Sequence, residues 1–193
     1  AAGTELGELV GEDYVMASGT SMATPHVAGA VALLLEQHPT WGPADLKSAL
    51  VGSAAFNPAL TALEQGGGRV DVAAALDTSL LASTPNLSFG VARWPHDDDE
   101  PTVRTVTYRN LGAATELALA LDVRGPDGVA APEGMFRVEP ATLALAEGGT
   151  ASVRVTADTR AGNLDGVFGG RLVAADATGR TLAVPFAVER EVE

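Results

Sequence analysis

Gly19-Thr20-Ser21-Met22-Ala23-Thr24-Pro25-His26-Val27-Ala28-Gly29 is the stretch that decides how this chain is read. From there on, Val27, Ala30, Val31, Leu34 and Leu35 recur at helical spacing, which predicts a helix. Pro25 has no amide hydrogen and suits the first turn, where amides lack helical partners. A start near Thr20 or Ser21 meets that condition. Ser21 then sits at the positive end of the helix dipole, a favourable place for an oxygen that gains negative charge. Gly19 permits a sharp entry into the helix. Ala23, Ala28, Gly29, Ala30 and Ala32 leave room for close packing on a sheet, and His38-Pro39 marks the end. By itself, a serine ahead of an apolar helix is more often an N-cap than a nucleophile.

The unbroken run from Ser18 to Gly29 weighs against the cap, because it closely resembles the nucleophile segment of the subtilisin-like serine proteases, the subtilases. The resemblance implies that Ser21 is the catalytic nucleophile of a serine endopeptidase. It also implies that an Asp, a His and an oxyanion Asn come from other segments, in the order Asp, His, Ser. None of these is recognisable elsewhere in the chain. His26 is five residues from Ser21, about 140° around a helix and ~7.5 Å along it. It cannot take the serine proton and reads as a packed, hydrogen-bonded structural residue. The expectation is therefore the carboxy-terminal portion of a longer enzyme, inactive alone. Its expected partners are a protein or peptide substrate and the missing N-terminal part of its own catalytic domain.

Beyond the serine segment, Thr40-Trp41-Gly42-Pro43-Ala44-Asp45 predicts a second helix start, with Leu46, Ala49 and Leu50 as its buried stripe. Gly66-Gly67-Gly68 lacks a following Lys-Ser or Lys-Thr, so it is a turn before a short final helix rather than a phosphate loop. Both segments resemble the close of a subtilase catalytic domain. Residues 77–85 read as a linker. Then the period changes to two: Leu117, Leu119, Leu121 and Val123; Ala151, Val153, Val155 and Ala157; Leu182, Val184, Phe186 and Val188. Pro185 predicts an edge strand or a bulge. The expected fold class is α/β, the incomplete and mainly helical C-terminal part of a subtilisin-like catalytic domain over residues 1–80. An all-β antiparallel sandwich over 86–193 is expected to follow it, and that part resembles fibronectin-III-like domains.

The 193 residues carry a formal net charge of −13 and no cysteine. That charge argues against nucleic acid and anionic membranes. The missing cysteine excludes disulfides and thiolate metal sites. The apolar stretch 27–35 is too short to span a bilayer, so no membrane insertion is expected. No signal peptide is seen and the first residue is not methionine, so Ala1 is expected not to be the natural start; the resemblance implies a secreted or cell-surface location. No cofactor and no metal are expected. His96-Asp97-Asp98-Asp99-Glu100 lacks the spacing of a calcium loop and reads as a solvated loop. Asn57 and Asn110 are turn residues. The alternative from another class is a non-catalytic β-sandwich, a binding or spacer module attached to an inactive protease remnant.

Overall fold

The computed structural model describes residues 8–10 and 14–193. Contacts divide the chain into two compact units, residues 1–40 and 41–193.

In the first unit, β1 (Glu8–Val10) pairs antiparallel with β2 (Tyr14–Met16), and α1 (Thr20–Gln37) follows. The chain enters α1 through Gly19 at φ 150°, a conformation that favours glycine. Pro25 falls inside the helix, in its second turn rather than its first. It has no amide to offer the Ser21 carbonyl four residues back. At the other end the His38 amide donates to the Leu34 carbonyl at 2.7 Å. Ala30 and Leu34 are buried, but most of α1 is exposed, including Val27, Leu33 and Leu35.

The second unit is a β-sandwich on which two helices pack, with a third short helix against the first of them. α2 (Pro43–Gly52) starts with Pro43 at its first position, and the Gly42 amide donates to the Asp45 carboxylate. Leu46, Ala49 and Leu50 are its buried stripe. Two short helices follow, α3 (Ala62–Gln65) and α4 (Val72–Leu76), the latter capped where the Ala74 amide donates to Asp71 at 3.0 Å. The strands are β3 (Leu80–Ala82), β4 (Leu87–Ala92), β5 (Thr102–Asn110), β6 (Thr115–Arg124), β7 (Phe136–Glu139), β8 (Thr142–Leu145), β9 (Thr150–Ala157), β10 (Gly166–Asp176) and β11 (Thr181–Arg190). One sheet runs β4-β11-β10-β6-β8, the other β3-β5-β9-β7. Val106, Tyr108, Val153 and Val155 from one sheet share a buried core with Leu117, Phe168, Leu172, Leu182, Val184 and Phe186 from the other. Phe89, Phe136 and Phe186 cluster there with ring centroids 5.2–6.2 Å apart.

This architecture corrects the expected fold class. A mainly helical α/β part followed by an all-antiparallel sandwich is overturned, because the described chain is mostly strand, arranged in two main sheets. An α/β layer needs helices flanking a sheet of their own. Among the described residues before β3, the strands are only the three-residue β1 and β2. α2 instead rests on β3 and β11. There the Ala82 amide donates to the buried Ser48 hydroxyl at 2.7 Å, and Arg109 pairs with Asp45. The sandwich is also not all antiparallel, since β4 pairs with β11 in parallel.

One local expectation changes with it, and that for Pro185 holds in its bulge form rather than its edge form. Residues 77–85 are not an open linker, because Leu80, Leu81 and Ala82 are buried in β3. Pro185 lies in a strand flanked on both sides, yet it stands one residue before the stretch of β11 that pairs with β4, and that pairing shifts register between Ala187 and Glu189. The missing amide is thus tolerated beside an irregular ladder.

Candidate functional site

Ser21 is the second residue of α1 and is exposed. The first turn is drawn tight by the Met22 and Ala23 amides, which donate to the Gly19 carbonyl at 3.0 and 3.1 Å. The Thr20 and Ser21 amides precede the first helical bond, so they point along the helix axis with the positive end of the dipole. An oxyanion formed beside Ser21 would meet that end.

The side chains around Ser21 serve the helix. Thr24 donates its hydroxyl hydrogen to the Thr20 carbonyl at 2.7 Å. His26 Nδ1 lies 2.7 Å from the Met22 carbonyl, which can only accept, so Nδ1 carries the hydrogen. That bond ties the ring back along its own helix and fixes its tautomer. His26 is hydrogen-bonded, as its sequence position suggested, but exposed rather than packed. Met22 is 37 % exposed at the same helix end.

The other residues weighed from sequence hold structure. The Ala59 amide donates to the Asn57 side chain, while Gln65 bonds both backbone groups of Asn57. Asn110 is buried and donates to the Ala113 and Ala146 carbonyls at 2.8 and 3.0 Å, closing the turn after β5. Among the described residues, no group of three His, Asp or Glu side chains is arranged to hold a metal ion, and no helix is long and apolar enough to cross a membrane.

His96 corrects the reading of 96–100 as a solvated loop. It is 5 % exposed, with Nδ1 at 3.1 Å from Asp99 Oδ2 and Nε2 at 2.9 Å from the Glu191 carbonyl. Glu191 lies 95 residues from His96 in the chain, and no local pattern announces such a contact.

The sequence profile of the Subtilase family matches residues 2–91, the part that contains Ser21. Subtilisin-like protease SBT2.6 of Arabidopsis thaliana is 37 % identical over 101 residues, covering 42 % of this chain and 12 % of that protein. Subtilisin-like protease SBT3 of Solanum lycopersicum is 40 % identical over 86 residues, covering 38 % of this chain and 11 % of that protein. A subtilisin of Bacillus pumilus is 52 % identical over 48 residues, covering 25 % of this chain and 18 % of that protein. The chain thus spans about an eighth of the length of the plant relatives it matches. Among solved structures, the ASH/PapD-like domain 7 of human CEP192 aligns with a TM-score of 0.46 at 18 % identity, over 60 % of this chain and 88 % of that one. The periplasmic chaperone SfaE aligns with a TM-score of 0.40 at 7 % identity, over 58 % of each chain.

Proposed function

Residues 2–91 belong to the subtilase family, and from that premise we propose that this chain is the nucleophile-bearing portion of a subtilisin-like serine endopeptidase. Ser21 attacks the carbonyl carbon of a peptide bond in a protein or peptide substrate. A base takes the hydroxyl proton and returns it to the leaving amine. Water then hydrolyses the acyl-enzyme. The base and its orienting acid come from outside this chain, so the chain alone is inactive. Work on extracellular proteins, with the chain secreted or at the cell surface, is part of the same reading. So is an accessory, fibronectin-III-like role for the sandwich.

The observation that carries this reading is the position of Ser21 at the open, positive end of α1. His26 is bonded to the Met22 carbonyl of its own helix, which supports a base supplied by another segment. A second reading keeps its place because residues 41–193 have their own complete core: the sandwich is then a binding or spacer module and Ser21 a remnant.

Fluorophosphonate labelling separates the two. The isolated chain should stay unlabelled. The full-length protein should label at Ser21, and Ser21→Ala should abolish the signal. Robust labelling of the isolated chain would overturn the incomplete-triad reading. An unlabelled but folded full-length protein would favour the module.

A further inference from the structure

The geometry points to a proton-held latch in the sandwich, in which His96 ties two loops to the C-terminal end of β11. Three segments meet at this ring. Nδ1 faces Asp99 Oδ2 of its own loop, and that oxygen also accepts the Thr159 hydroxyl hydrogen at 2.7 Å from the β9–β10 connection. Nε2 faces the Glu191 carbonyl just past β11 and Asp165 Oδ1 at 3.6 Å. Arg190, itself buried, reaches Asp165 at 3.4 Å and donates to the Leu164 carbonyl at 3.0 Å. The Trp94 amide donates to the Glu191 carboxylate at 3.2 Å. Of the remaining charges nearby, Asp97, Asp98 and Glu100 are exposed, and Arg160 is close enough to act on Asp99 and Glu100.

Every group that faces the ring nitrogens is an acceptor. A carbonyl oxygen only accepts, and so does an ionised carboxylate. A neutral imidazole has one N–H and serves one side only; its other lone pair then points at an oxygen. Two hydrogens are therefore needed, one toward Glu191 and one between Nδ1 and Asp99. With both present, the ring makes two charge-assisted bonds in a site almost closed to water. When one proton leaves, one arm of the latch loses its donor. The latch is closed while both nitrogens carry a hydrogen and loosens when one is lost as pH rises.

The test is made on the full 193-residue chain. Long-range ¹H–¹⁵N NMR reads the protonation of both His96 nitrogens. Hydrogen exchange, corrected for its intrinsic pH dependence, reads the Glu191 amide, which bonds the Ala92 carbonyl at 2.9 Å. The second ring proton and the protection of Glu191 should be lost together as pH rises, protection falling on the order of tenfold. His96→Gln, with one permanent donor side, should remove the pH dependence of that protection. Asp99→Asn should move the paired loss to lower pH, which keeps the proposal testable if His96→Gln does not fold. A ring with a single N–H at every pH that preserves the fold would overturn the latch. So would a Glu191 protection profile unchanged in His96→Gln or Asp99→Asn.

Discussion

At the scale of single residues, burial and the count of hydrogen-bond partners separate groups that the sequence alone does not. Tyr108 is fully buried in the sandwich core, and its hydroxyl meets no hydrogen-bond partner among the described residues. Burial pushes its phenol well above the ordinary tyrosine range. Tyr108→Phe removes the unpaired oxygen and keeps the ring, so it should leave stability unchanged or raise it by up to about 1 kcal/mol. The sign with pH follows from the raised value. The unfolded chain ionises this phenol near pH ~10 while the fold does not, so the native state loses stability as pH climbs beyond that point. Tyr108→Phe should reduce that alkaline loss, and melting curves across the alkaline range measure it. Ser21 and His26 form the second residue-level test, made in the full-length protein. Ser21→Ala should remove turnover with little change in melting. His26→Gln should lose the bond to Met22 and cost about 0.5–1.5 kcal/mol, because the site is exposed, while folded enzyme keeps most of its kcat. Equal loss of turnover in both, with no change in melting for His26→Gln, would show that His26 does chemistry.

At the scale of elements, α2 shows how a helix is claimed by a sheet distant in sequence. Ser48 is 2 % exposed and accepts from the Ala82 amide of β3. Ser48→Ala leaves that buried donor unpaired and should cost about 1–3 kcal/mol, read by chemical denaturation. Glycine substitutions give a sharper contrast. A Cβ at Gly52 in α2 would come within 2.5 Å of Leu182, which is 1 % exposed and has nowhere to go, while a Cβ at Gly29 in α1 meets nothing within 4 Å. Alanine gains up to about 1 kcal/mol over glycine in a helix interior. Gly29→Ala should keep that gain in this chain. Gly52→Ala should instead destabilise by about 1–3 kcal/mol through overpacking. The same elements show what was legible from sequence. α1 and its start near Ser21, the Pro43 start of α2 and the alternating cores of β6, β9 and β11 follow from local spacing, and local spacing is what a sequence displays. The docking of α2 on β3 and β11, the parallel partner of β11 and the burial of His96 depend on residues distant in the chain: Ala82 lies 34 positions from Ser48, and Glu191 lies 95 from His96, while Leu87 pairs with Phe186 and Gly52 meets Leu182. Their local surroundings suggested a linker and a solvated loop. The expectation for Ser21 rests on one contiguous motif, Gly19 to Gly29.

At the scale of the whole molecule, stability is unevenly divided between the two units. Among the described residues, the largest fully buried side chains, Tyr108, Phe168, Phe186, Met135, Leu172 and Leu182 among them, belong to residues 41–193, with Leu34 of α1 the exception. In the first unit the described helix has two buried residues, Ala30 and Leu34, and exposed Val27, Leu33 and Leu35. A helix with so little covered apolar surface opens at low free-energy cost, because tertiary packing supplies most helical stability. From sequence, proteolysis is expected at 77–85, but β3 places Leu80–Ala82 inside the sandwich with their backbone paired to Tyr108, Arg109 and Asn110. Cleavage there would need the sandwich itself to unfold. Cleavage should instead concentrate from α1 to the segment before Pro43, leaving a protected fragment that begins near Trp41 and keeps α2. That fragment, made directly, should unfold cooperatively with nearly the melting temperature of the full chain, because little of the core lies outside it. Limited proteolysis with mass spectrometry of the stable fragment, beside calorimetry of residues 41–193, decides the point. A stable fragment that starts after residue 77 would show that α2 through α4 are peripheral, and Ser48→Ala would then be nearly silent. Equal protection of both units would show that α1 is stabilised by contacts as strong as those in the sandwich.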